Sequence, residues 1–148
     1  MKIELDYLRQ LLDVFLESPR AFITIKDWEE SGITVDSPDE DIFDDRFIFH
    51  VSLLVENKLI SNSSLENSSL KSIGIDVGNS NYHSWWEVDI RLTQDGHDFA
   101  KLLHQNEVFE NLKSNFREFP FQVMLDAGKS LATAIMKNKV KELTGFTE

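Results

Sequence analysis

The stretch Trp85-Trp86-Glu87-Val88-Asp89-Ile90-Arg91-Leu92-Thr93 decides the fold. Apolar and polar residues alternate through it, which is the period of a strand with one buried face. Trp86, Val88, Ile90 and Leu92 fall on one side. Neighbouring strand residues point to opposite faces, so one tryptophan is expected in the core and Trp85 outside, covered by the C-terminal helices or by a partner. Thr93 then stands as the N-cap of a helix from Asp95 to about His104, with Phe99, Leu102 and Leu103 on its buried side.

Upstream of this strand, residues 61–84 are rich in Ser, Asn and Gly and read as a long flexible loop or hairpin, with Ile73, Ile75 and Val77 alternating as one strand inside it. Leu59-Ile60 begins an extended segment. Before it, Phe43, Phe47, Val51 and Leu54 carry a helix to about Asn57, opened by Pro38 and capped by Asp36 or Ser37. Leu5, Leu8, Leu12 and Phe15 mark a first helix ending before Pro19. Ala21–Ile25 reads as a short strand, and Lys26–Gly32 as a brief helix stopped by its glycine. Downstream, Val108–Glu118 and Phe121–Leu143 read as helices separated by Pro120, with Gly145 ending the last. The order is helix, strand, helix, helix, strand, long turn, strand, helix, then extra helices. That is an α+β chain with winged helix-turn-helix connectivity, a small antiparallel sheet and additional C-terminal helices. The expected organisation is a winged-helix domain over 1–106, with 61–84 as its wing, and a helical extension over 107–148 packed on that domain or on a partner.

Two segments carry a family resemblance. Phe49-His50-Val51-Ser52-Leu53-Leu54-Val55-Glu56-Asn57-Lys58-Leu59-Ile60 resembles a helix with the Glu-x-x-Leu-Ile exit common before a wing, and Arg91-Leu92-Thr93-Gln94-Asp95-Gly96-His97-Asp98-Phe99 resembles the Leu-Thr-x-x-Gly-His-x-Phe entry common after one. With Asp6-Tyr7-Leu8-Arg9-Gln10-Leu11-Leu12, they make the chain look like the domain-of-unknown-function family numbered 2513, a bacterial, prophage-associated, winged-helix-like family. The chain departs from it in the long 61–84 insert and in an acidic stretch at 27–45. The resemblance implies a fold and a mobile-element setting, and no activity.

Charge bears most directly on function. The 148 residues carry a formal charge of −11. Residues 1–100 hold 20 acids and 8 Lys/Arg, a balance of −12, and residues 101–148 hold 6 acids and 7 Lys/Arg, a balance of +1. Nine acids lie between Asp27 and Asp45 without one Lys or Arg. Such a surface repels the phosphates of a duplex. There is no cysteine, hence no disulfide and no thiolate chemistry. The N-terminus is not a signal peptide, and no run of about 18 apolar residues exists to span a membrane, so the expected compartment is the cytoplasm.

Motifs with chemistry fail on inspection. Gly128-Lys129-Ser130 lacks the glycine five residues earlier, where Val123 stands, and follows a helix rather than a strand. His97 and His104 are two helical turns apart, too far for one metal. Counted as a calcium loop from Asp36, position six is Asp41 and position twelve Phe47, where Gly and Glu are needed. No catalytic, cofactor or metal residue is assigned, and an enzyme is not expected.

Two functions remain. The favoured one is a protein-interaction module whose acidic surface, with Asp36, Asp39, Glu40, Asp41, Asp44, Asp45 and Trp85, meets a basic protein partner. Imitation of DNA is its sharper form, and a homodimer is a further partner this reading allows. The alternative is a DNA-binding transcriptional regulator, offering Arg46, His50, Ser52, Lys58 and Lys71 to a groove; charge disfavours nucleic acid.

Overall fold

The structure, a computed structural model, describes residues 1–38, 42–78 and 83–145. It divides into two units, Met1–Ala100 and Lys101–Glu148. The fold is mixed α+β. Among the described residues there are six α-helices and two small antiparallel sheets of two strands each.

In the first unit, α1 (Leu5–Glu17) buries Leu5, Leu8, Leu11 and Leu12 along one stripe, as the 3.6-residue period requires. The expected strand at 21–25 is reduced to one residue. Ile23 exchanges both backbone hydrogen bonds with Ile90, at 2.9 and 2.7 Å. It goes no further because the Asp27 carboxylate accepts the Thr24 N–H at 2.8 Å and turns the chain into α2 (Ile25–Glu30). Gly32, at φ +101°, closes α2 in the left-handed conformation, with the Ile33 N–H donating back to the Trp28 carbonyl.

The next helix starts later than its cap signals predict. Ser37 and Pro38 do not open it: α3 spans Asp45–Glu56, and its cap is Asp44, whose carboxylate accepts the Phe47 N–H at 3.0 Å. Upstream, the Ser37 N–H donates to the Ile42 carbonyl and the Asp44 N–H to the Val35 carbonyl, both at 2.8 Å. With Asp36 bridged to Phe43, this is an antiparallel turn rather than a helix. Val35 and Phe43 are buried on its two arms, so the apolar spacing served a turn.

Four short strands follow: β1 (Ile60–Asn62), β2 (Ile75–Val77), β3 (His83–Trp85) and β4 (Ile90–Leu92). β1 pairs with β4 in the register Ile60↔Leu92, Ser61↔Arg91, Asn62↔Ile90, and β2 pairs with β3 with Ile75 opposite Trp85. β4 therefore lies between β1 and the Ile23 bridge. The 61–84 stretch holds a 3-10 turn (Leu70–Ile73) and the β2–β3 hairpin, and Ile73 and Ile75 are fully buried.

The long strand expected over 85–92 is broken in two. Trp86–Asp89 belong to neither strand, because Trp86 donates its N–H to the Gly74 carbonyl at 2.9 Å while its own carbonyl fills the space that a Cβ of residue 74 would need. Gly74 sits at φ +88°, and a Cβ there would strike the Trp86 carbonyl. Alternation does not carry through the break, so the tryptophans exchange roles. Trp86 is 44% exposed, and Trp85 is half-buried.

Helix α4 (Gln94–His104) is hooked onto the α3–β1 turn by Thr93. The Thr93 hydroxyl accepts the Gly96 N–H at 3.0 Å and donates to the Lys58 carbonyl at 2.7 Å, and its backbone N–H donates to the Leu59 carbonyl. The turn itself holds Lys58 at φ +57°, a place usually given to glycine, with Leu59 N–H bonded to Leu54 O and Lys58 N–H to Val55 O.

In the second unit, α5 (Asn106–Asn115) and α6 (Phe121–Thr144) form a helical hairpin. Val108, Phe109 and Leu112 of α5 and Met124, Leu125 and Gly128 of α6 are buried. Gly145, at φ +73°, caps α6. No described helix is long and apolar enough to cross a membrane.

A Cβ at Gly96 would run into the Leu59 carbonyl, which is backbone and cannot swing aside. Gly96→Ala is expected to cost about 3 kcal/mol in denaturant unfolding, whereas Gly128→Ala, which meets only leucine methyls at 3.3 and 3.5 Å, stays within about 1 kcal/mol.

Candidate interaction surface

Helix α3 is the element on which both expected functions turn, and its two faces differ sharply. Phe47, His50, Val51, Leu54 and Val55 are buried. The outer face carries exposed Asp45, Arg46 and Glu56 around half-buried Ile48, Phe49, Ser52 and Leu53. Arg46 is the one Lys or Arg on the helix, and it is held. Its Nε and Nη2 donate to the two Glu4 carboxylate oxygens at 2.8 and 2.9 Å, and its guanidinium lies 4.4 Å from the Tyr7 ring centroid.

His50, expected to face a groove, is a core residue with no exposed surface. Its Nε2 accepts the Glu4 N–H at 3.0 Å, so the proton is on Nδ1, which donates to the Arg46 carbonyl at 2.7 Å. Both nitrogens are spent inside the protein. The ring packs against Tyr7 and Phe49 at 4.7 and 5.0 Å. Burial lowers its pKa below the ordinary 6.5. Tyr7 is buried beside it; desolvation, with Asp44 nearby, pushes the phenol up to about 12. The Tyr7 hydroxyl has no hydrogen-bond partner.

The other candidate residues are scattered. Ser52 donates to the Ile48 carbonyl on its own helix at 2.6 Å. Lys58 donates to the Asn67 carbonyl at 2.9 Å, and Lys71 is exposed on the 3-10 turn. Of the acids, Asp44 is a helix cap, Asp45 is exposed, and Asp36 accepts the Trp85 indole N–H at 3.3 Å. This ties Trp85 to the acidic turn, so the exposed tryptophan is Trp86, flanked by exposed Glu87 and Asp89. Asp39, Glu40 and Asp41 lie outside the described residues. Nothing in the alternation pattern could have singled out Trp86, because the signal is the Gly74 contact.

Gly128-Lys129-Ser130 lies inside α6, with Gly128 packed on Leu112 and Leu102. Among the described residues no three His, Asp or Glu side chains are grouped to hold a metal.

Two outcomes follow from the Tyr7–His50 pair. A ring kept neutral when folded, but titrating near 6.5 when unfolded, means that the unfolded chain takes up more protons as pH falls. Stability is present in full above about pH 6.5 and declines below it, by at most about 1.4 kcal/mol per pH unit, and His50→Gln removes that part of the slope in urea unfolding from pH 7 to 5. Tyr7→Phe, which removes the unpaired hydroxyl and keeps the ring under Arg46, leaves stability unchanged or raises it by about 1 kcal/mol in the same measurement.

No family model, no curated protein and no solved structure matches the chain.

Proposed function

We propose that the first unit is a winged helix acting as a non-enzymatic protein-interaction module, with an acidic surface that binds a basic protein partner. Support for the fold reading lies in connectivity. The order α1, Ile23, α2, α3, β1, insert, β4 brings Ile23 and β1 to the two sides of β4. In a winged helix, α3 is the reading helix and the insert between β1 and β4 the wing. The kinship with the domain-of-unknown-function family numbered 2513 is proposed on the same elements, since the Thr93-x-x-Gly96 pair and the Lys58–Ile60 exit are the residues that hook α4 to the sheet.

One observation carries the functional reading. The helix that a DNA-binding winged helix lays in the groove presents Asp45 and Glu56 here, and its one arginine is clamped by Glu4. A groove-reading surface needs several Lys or Arg free to meet phosphates. Exposed Glu29, Glu30 and Asp36 add to the negative field of the unit. Such a surface fits a positively charged protein face, including one that otherwise holds nucleic acid.

A labelled random duplex of about two helical turns, titrated in roughly 50 mM salt, is expected to show no binding up to tens of micromolar protein. Micromolar affinity falling steeply with salt would establish the regulator instead. A protein captured by the wild-type chain is expected to be lost by the double variant Asp45→Ala, Glu56→Ala, with at least a tenfold weaker affinity.

A further inference from the structure

The residues leading into α1 are fastened to α3 through Glu4. Its backbone N–H donates to His50 Nε2 at 3.0 Å, and its carboxylate takes Nε and Nη2 of Arg46 at 2.8 and 2.9 Å. Glu4 is itself exposed, and its side chain caps no N–H of α1. The apolar anchoring of α1 starts one residue later, at Leu5, and continues through Leu8, Leu11 and Leu12. Residues 1–4 can therefore leave α3 without taking the buried stripe of α1 with them.

The fastening has a chemical condition. His50 has no exposed surface, its ring lies between Tyr7 and Phe49, and Nδ1 donates to the Arg46 carbonyl at 2.7 Å. Only a neutral ring leaves Nε2 a lone pair for the Glu4 N–H. A protonated ring has an N–H on both nitrogens and would face Glu4 donor to donor. Turning the ring over exchanges the nitrogens and restores no acceptor, and a backbone N–H cannot become one. His50 is set in the helix, so Glu4 is the partner that gives way. Because both contacts begin on one residue, its withdrawal also opens the pair with Arg46.

The charges that bear on the ring are the Glu4 carboxylate, which favours an imidazolium, and the Arg46 guanidinium, which opposes it. The Tyr7 phenol, raised to about 12, stays neutral beside them, and Asp44 acts on that phenol. Burial outweighs the rest and disfavours the charged ring. The fastened form thus binds the proton more weakly than the released one, so falling pH favours release, by at most about tenfold per unit.

We propose that protonation of His50 releases Glu4, so that residues 1–4 lift from α3 and Arg46 is freed while the core stays folded. The element is a latch at the entry to α1, and its action does not depend on what α3 binds. Opened, it gives α3 a guanidinium that no carboxylate of the α1 entry offsets, and the negative face of the unit weakens.

Nuclear magnetic resonance of the labelled full chain, titrated from about pH 7.5 to about 5, tests this. The Glu4 N–H, the Arg46 Nε–H and the His50 ring nitrogens are expected to shift together with one midpoint below 6.5. The Trp28 indole N–H, buried in the core, stays in place over the same range. His50→Gln puts a non-titrating acceptor on α3 and abolishes the transition. In Glu4→Gln, which keeps the backbone donor and changes only the exposed side chain, the N–H at position 4 still titrates with His50. An Arg46 Nε–H that follows only a carboxylate near pH 4 overturns the proposal. So does a Trp28 signal moving with the same midpoint, which would mean unfolding of the whole unit, or a transition that survives His50→Gln.

Discussion

A fully buried tryptophan is tolerated only if its indole N–H finds an acceptor, and this condition organises the first unit. Trp28 of α2 has no exposed surface, and its Nε1 donates to the Leu11 carbonyl of α1 at 2.9 Å. Phe15 of α1 and Phe47 of α3 each meet the indole edge-on, with centroids 5.7 Å away. One side chain thereby joins three helices. Burying an indole removes about 150–250 Å² from water, worth about 4–6 kcal/mol at 25 cal/mol per Å², and a polar group sits in the same place without penalty. Once the three helices are set around Trp28, Ile23 is delivered to Ile90, and the small sheet has its third participant.

That keystone was hard to see in the sequence. Trp28 stands among Asp27, Glu29 and Glu30, a neighbourhood that reads as solvated. The amphipathic helices were legible because their apolar period repeats over three turns or more, as in α1, and the Thr93-x-x-Gly96 entry was legible as a cap. Two elements were not. Ser37-Pro38 has the chemistry of a helix start, yet Val35 and Phe43 are buried on either arm of a turn and Asp44 does the capping. The alternation over 85–92 is real, but a single close approach between Gly74 and Trp86 interrupts it, and a contact between residues distant in sequence leaves no period to detect.

The surface was legible as a sum and illegible in its parts. Net charge follows from counting, and the abundance of acid near α2 and α3 is evident. Counting does not reveal which charges are occupied. Asp27 and Asp44 are spent on backbone N–H groups at helix starts, where the dipole favours them, and Arg46 is spent on Glu4. An exposed pair of that kind adds at most about 1 kcal/mol to stability, but it withdraws the one cation of α3 from other work. His50 shows the same in reverse: a residue type that commonly serves function is here an internal spacer between the chain entering α1 and the backbone of α3.

The insert between β1 and β4 begins and ends on cross-strand neighbours, since Asn62 faces Ile90. Its two ends are thus held together by the sheet, whatever length of chain runs between them, and added residues incur only the slow logarithmic cost of a longer loop. Not all of it is free to drift, because Ile73 and Ile75 are part of the core. Val77 and His83 face one another across the β2–β3 pair, so a change of chain length between them need not move the core. The molecule thus keeps one place where its outline can be rewritten by insertion or deletion while the hydrophobic interior stays as it is, so related chains can diverge in reach there and still share a single scaffold.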